Sequence, residues 1–252
     1  MSVTCDGIIN HWNAMTGKLQ HTMIEDSPLF ACDYAVDGLR FTAAGTDMKI
    51  YLYDEQTRQK ITAMSSNGIK LQGHTNRVFC TKWLTDDANV VISGGWDRIM
   101  KIYDTRIGRP VAQILGPSVS GDAIDVHGDQ ILAGSNRHKE PLAVYSLSMQ
   151  KVIQEIPFDP PGMNIPESGY VLAARFSKDK DRSLIFAGGA GRNELRAFDN
   201  DTWGVGRYKD MGHLNDARGT IMAIDTAPNG RQMAWGNHLG QVIISNFDLN
   251  ND

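Results

Sequence analysis

Residues 73–104 read GHTNRVFCTKWLTDDANVVISGGWDRIMKIYD. Three short apolar runs lie inside this stretch, VFCTKW, VVISGG and IMKIYD, separated by residues that favour turns. Each run is rich in β-branched and aromatic side chains and predicts a strand. Their close spacing predicts one small antiparallel sheet. The stretch opens on Gly73-His74, carries Ser93 and Asp97 in its middle, and closes on Tyr103-Asp104.

Outward from this centre the same plan recurs about every 40–50 residues. Upstream, SVTC, IINHW and KLQHTMI predict three strands, and Ser2, Asp6 and Trp12 repeat the spacing of Ser93, Asp97 and Tyr103. Residues 27–67 hold LFACDYA, RFTAAGT, MKIYLYD and QKITAM. Here Asp47 and Tyr53 keep their spacing, but Ala43 stands where Ser93 stands and no His leads the unit. This sheet is therefore expected to hold by packing and ladder pairing alone. Period-2 alternation in KIYLYD gives one of its strands two distinct faces.

Downstream, PVAQIL adds an outer strand to the central unit. Residues 118–158 contribute GDAIDVHG, QILAGS, LAVYSL and KVIQEIPF, with a turn stretched to NRHKEP and Tyr145 in the aromatic place. The run 159–168, DPPGMNIPES, reads as a surface connector, because its prolines forbid a central strand. YVLAARFS, LIFAGG and ELRAFD follow, with an outer strand expected near VGRYKDM. Gly212-His213 reads as a second opening pair, with an NDARG insert, before TIMAIDTA, RQMAWGN and QVIISNFD. Pro228-Asn229-Gly230 signals a hairpin between the first two of these. Twenty-two strands are expected in six units, with no helical period anywhere.

The Gly-His start, the central Ser and Asp, and the aromatic-Asp close resemble the signature of the WD-repeat family, with Tyr103 in place of the usual Trp. The resemblance implies an all-β fold, a β-propeller of four-stranded antiparallel blades forming a single domain over 1–252. It also implies a buried hydrogen-bond chain through Tyr103, Ser93, His74 and Asp97. A ring of seven such blades would take about twenty-eight strands and one of six about twenty-four. The expectation is an N-terminally short member of a seven-blade lineage with an open edge that a partner would fill.

In the family's topology, the turns between second and third strands share one face with the loops that lead into each blade. That places Met48, Arg77, Trp96, Arg98, Arg137, His138, Arg192, Asn193 and His238 on a partner-binding face. Trp and Arg are the types most enriched in interface hot spots. Tyr103-Asp104-Thr105-Arg106 also resembles the box by which some family members contact a cullin-type ubiquitin ligase adaptor, through Arg106. The resemblance implies a non-enzymatic scaffold within a larger intracellular, cytoplasmic assembly, with a cytoskeletal or ciliary setting as one option. The ligase substrate receptor and a propeller hydrolase are the alternatives.

Composition agrees with a packed globular chain. Of 252 residues, 41% are hydrophobic and 21% charged, enough to bury a core. Twenty-five basic against 29 acidic residues leave a net charge of −4, which gives no global pull toward nucleic acid. Cys5, Cys32 and Cys80 form no CxxC pair and read as reduced thiols. No apolar run reaches the roughly 18–20 residues of a membrane span, and no signal peptide is apparent at the N-terminus.

The seven His residues show no HxxxH or HxH spacing, so no metal is expected. There is no G-x-S-x-G elbow, and Thr16-Gly17-Lys18 lacks the upstream glycine of a phosphate loop. Gly188-Gly189-Ala190-Gly191 lacks the third glycine of a dinucleotide fingerprint. No catalytic residue, cofactor or small-molecule substrate is expected; the partners are other proteins.

Overall fold

The structure is a computed structural model that describes residues 1–66, 71–137, 141–158, 169–191, 193–200, 210–214 (main chain), 219–228 and 232–246. It is all-β, built of antiparallel meanders, and divides into two compact units, Met1–Ser118 and Val119–Asp252.

The first unit holds three sheets. One comprises β1 (Ser2–Val3), β2 (Ile8–Trp12) and β3 (Leu19–Ile24). The next comprises β4 (Leu29–Tyr34), β5 (Arg40–Gly45), β6 (Ile50–Asp54) and β7 (Lys60–Met64). The third comprises β8 (Val78–Trp83), β9 (Val90–Gly95), β10 (Ile99–Asp104) and β11 (Arg109–Leu115). Sheets in this unit pack face to face through apolar side chains. Ile9, Leu29, Phe41 and Tyr53 fill one layer, and Ile50, Leu52, Val78, Val91 and Tyr103 the next.

The second unit repeats the plan. Its sheets are β12 (Ile124–His127), β13 (Gln130–Gly134), β14 (Leu142–Ser146) and β15 (Lys151–Ile156); then β16 (Tyr170–Phe176), β17 (Leu184–Ala190), β18 (Leu195–Asp199) and β19 (Asp210–Leu214); then β20 (Ile221–Thr226), β21 (Gln232–Asn237) and β22 (Val242–Asn246). Leu132, Val144, Phe176 and Phe198 sit in one core layer, and Phe186, Ile221 and Trp235 in the other.

The six sheets of three or four strands are the blades of a β-propeller fold, with the strands where the sequence places them. One boundary differs. The outer strand of the fifth blade is β19, so Gly212-His213 lies within it, with His213 opposite Arg196, and does not open the last blade. A Gly-His pair in a run as short as DMGHL pairs equally well with a strand edge, and sequence alone does not separate the two uses. The connector 159–168, the insert 215–218 and the hairpin tip at Asn229-Gly230 lie outside the described residues.

Neighbouring blades are tied by one recurring device. The Asp33 carboxylate on β4 accepts the Trp83 main-chain N–H on β8 at 2.8 Å. In the second unit the Asp125 carboxylate on β12 accepts the Phe176 N–H on β16 at 2.9 Å. Each bond satisfies a main-chain group at the end of an inner strand with a charged acceptor.

Candidate protein-interaction face

Four inner strands, β4 and β8 in the first unit and β16 and β20 in the second, begin with the same irregularity. In β4, Leu29 pairs with Gly45 and Ala31 with Ala44, so Phe30 is an extra residue. Phe79 is the extra residue of β8, Leu172 of β16 and Met222 of β20. A bulge takes its residue out of the ladder and re-aims the side chain. Phe30 and Phe79 are thereby brought together, half-buried and stacked in parallel, with ring centroids 4.9 Å apart and planes 4° apart.

Trp96 extends the row. Its ring lies 4.9 Å from that of Phe79 and is 40% exposed. The turn that carries it is latched to the start of β8 by the Trp96 N–H, which donates to the Arg77 carbonyl at 3.1 Å. Gly95 makes that approach possible, because a Cβ there would sit 2.1 Å from the Arg77 carbonyl oxygen. The Arg77 guanidinium then lies over the Trp96 ring, 5.5 Å from its centre. Met48 and Arg98 occupy matching turns of adjacent blades, both exposed and both left-handed at φ 68° and 62°. Arg58 and Gln150, in turns between third and fourth strands, are left-handed too, so backbone conformation alone does not mark the face.

Beneath this row lies the buried network. His74 Nδ1 is 2.8 Å from Asp97 Oδ2, and His74 Nε2 is 2.6 Å from Ser93 Oγ. Asp97 also accepts the main-chain N–H groups of Thr75 and Ile99. Burial opposes its ionisation, but the hydrogen bond and charge of His74, with these N–H groups, outweigh it and hold the carboxyl below its ordinary value.

Tyr103 departs from expectation. Its ring stacks beside His74, centroids 6.3 Å apart, yet among the described residues its buried hydroxyl has no side-chain partner and does not join Ser93. The hydroxyl projects from the end of the ring, toward the His74 main chain, where an indole N–H would project from the side. Trp12 shows the alternative: its Nε1 donates to Ser2 Oγ at 2.9 Å, the aromatic-to-serine bond that Tyr103 cannot make.

The second blade also departs from expectation, since it has a polar network of its own. Glu25 precedes β4 by the interval at which His74 precedes β8. It accepts the Tyr53 hydroxyl at 2.7 Å and pairs with Lys60 Nζ. Tyr51 donates to Asp47, which also pairs with Lys49.

The remaining expected residues lie elsewhere. Asn193 and His238, in the second unit, are joined through Thr220, whose hydroxyl bonds Asn193 Oδ1 at 3.3 Å and whose N–H donates to His238 Nδ1 at 2.9 Å. Arg137 lies in that unit's long β13–β14 turn; His138 and Arg192 are outside the described residues. Arg106 sits at the opposite end of β10 from Trp96, exposed, with its guanidinium forked onto Asp104 at 3.0 and 2.6 Å. Among the described residues, no three His, Cys, Asp or Glu side chains are placed to hold a metal, and no helix is long and apolar enough to cross a membrane.

Sequence reading missed Phe30 and Phe79. The signal was present, since Leu29-Phe30 and Val78-Phe79 both break strand alternation with two adjacent apolar residues at the same place in adjacent repeats. That doubling marks a bulge only once the pairing partners are known.

Blades of this kind, with a His–Ser–Asp network under the turn, are those of WD-repeat proteins, and the central blade of this chain matches such a repeat. The family profile "WD domain, G-beta repeat" matches residues 65–104. "WD repeat-containing protein 1" of Gallus gallus is 24% identical over 212 residues, 82% of this chain and 32% of that protein. "mRNA export factor GLE2" of Chaetomium thermophilum is 24% identical, covering 68% of this chain and 48% of its own length. "Mitotic checkpoint protein bub-3" of Caenorhabditis elegans is 29% identical over 54% of this chain and 40% of its own. The chain thus spans about a third to a half of the length of these relatives. Proteins of this kind serve generally as interaction scaffolds.

Proposed function

We propose that the chain is a non-enzymatic platform that binds another protein of a larger assembly through the face built by Phe30, Phe79, Trp96, Arg77 and Arg98. The carrying observation is the aromatic row: two phenylalanines displaced from their ladders by bulges and stacked on each other, and a 40%-exposed Trp tilted against Phe79 under an arginine. A fold needs no exposed Trp in a tight turn, where Gly, Asn and Asp serve better. Large rigid aromatics beside arginine are what protein interfaces use as anchors. The names of the relatives point to different tasks, mRNA export in one and a mitotic checkpoint in another, which suits a shared platform better than a shared chemistry. The reading takes 1–252 as one propeller domain, because a single blade plan recurs in both units. Three free cysteines, Cys5 exposed, suit the reducing cytoplasm.

The test is affinity capture from the native cell type with the intact chain and with a Trp96→Ala/Arg98→Ala variant of unchanged circular dichroism. A defined set of proteins lost with the variant is the expected result. Equal capture by both would move the binding surface away from this face.

A further inference from the structure

The platform reading leaves the chemistry of the partner open, and the charges around the aromatic row narrow it. Arg77 and Arg98 are both exposed, and among the described residues neither makes an ion pair. The carboxylate nearest them in sequence, Asp97, does not neutralise them at the surface. Its side chain is 2% exposed and committed to His74. Asp47, in the matching turn, is held by Lys49 and Tyr51. The row therefore carries local positive charge on a chain whose net charge is −4.

We propose, on the basis of the platform reading, that this row binds an acidic peptide segment that carries one aromatic or branched aliphatic anchor side chain. The anchor packs against the exposed edge of Trp96 and the half-buried Phe30 and Phe79, and the flanking carboxylates meet Arg77 and Arg98. Charge-assisted hydrogen bonds to carboxylate suit the arginine fork. The geometry disfavours a cationic ligand such as a methylated lysine. Phe30 and Phe79 already stack on each other, Arg77 already lies over Trp96, and two guanidinium groups would repel another cation. Two arginines are likewise too few to hold a nucleic acid backbone by phosphate contacts.

A random dodecapeptide display library panned against the intact chain tests this before any partner has been isolated. The peptides recovered should place Asp or Glu beside a single Phe, Trp, Leu or Ile. Their affinity, measured by fluorescence anisotropy, should fall about thirtyfold in Trp96→Ala and about fivefold to tenfold in Arg98→Gly. It should also weaken as sodium chloride rises toward about 0.5 M, as screening requires (the Debye length drops to a few ångströms near this strength). Arg98→Gly is a safe probe of folding, because glycine adopts φ 62° without strain. Enrichment of basic peptides, or of uncharged ones insensitive to salt, would overturn the assigned chemistry while leaving the platform intact. Acidic peptides that bind both variants as tightly as the parent would overturn the assigned surface. Recovery of no peptide above the blank would overturn the proposal too, with the platform reading then judged by the capture experiment alone.

Discussion

Blades β4–β7 and β8–β11 have the same strand order and the same bulge and are tied to each other through Asp33 and Trp83, yet their leading loops are fastened by opposite chemistry. In β8–β11, His74 bridges Ser93 and Asp97 while the Tyr103 hydroxyl has no side-chain partner among the described residues. In β4–β7, Ala43 removes the serine, Glu25 takes the place of the histidine, and the Tyr53 hydroxyl is the group that is satisfied. The two tyrosines are equally buried and differ in one hydrogen bond. In both blades the leading loop is fastened to the sheet, by His74 to the second strand and its turn in one and by Glu25 to the third strand in the other.

The comparison is sharpest at the two leading-loop residues. His74→Ala leaves the Asp97 carboxylate buried without its main partner and should cost about 3 kcal/mol in urea unfolding. A loss under about 1 kcal/mol would show that water or a shift of the turn replaces the ring. Glu25→Ala should cost less, about 1–2 kcal/mol, because it strands the Tyr53 hydroxyl but leaves Lys60, 39% exposed, free to hydrate. Equal losses in the two variants would erase the distinction between the blades.

The tyrosines give a smaller and cleaner contrast. Tyr53→Phe deletes a satisfied hydroxyl and should destabilise by about 1 kcal/mol. Tyr103→Phe deletes one with no side-chain partner among the described residues and should fall within about 0.5 kcal/mol of the parent, on either side. If Tyr103→Phe proves the costlier, its hydroxyl is bonded in solution and the fastening of the two blades is more alike than it looks.

Acid supplies the smallest test. The folded-state pKa of Asp97 is depressed, so the unfolded chain binds more protons between the folded and unfolded values. The stability that Asp97 confers is complete above the unfolded value, near about 3.9, and is lost as pH falls through the folded one. Asp97→Asn should therefore flatten the decline in stability below about pH 4. An unchanged acid limb would assign that decline to other carboxylates.

Much of this was legible in the chain. The fifth blade shows where legibility ends: LIFAGG and ELRAFD declare their strands, but Gly212-His213 looked like the head of the next blade and is part of β19. A dipeptide reports its own tendencies and not its pairing partner. The same limit hid Glu25, which reads as an ordinary surface acid until Tyr53 is seen to donate to it across 28 positions. Trp96, Arg77 and Arg98 could be nominated from residue type. Phe30 and Phe79 could not, since each looks like one more core residue of its strand.

Strand positions, the repeat and the tight turns were settled by the sequence itself, because alternation, β-propensity and turn residues are properties of neighbours along the chain. Which hydroxyl is satisfied, which dipeptide opens a blade, and which two phenylalanines meet at 4.9 Å were decided only in the tertiary structure. Those outcomes depend on ladder register, and register is fixed by contacts between residues distant in sequence, where a single bulge changes which side chain faces out.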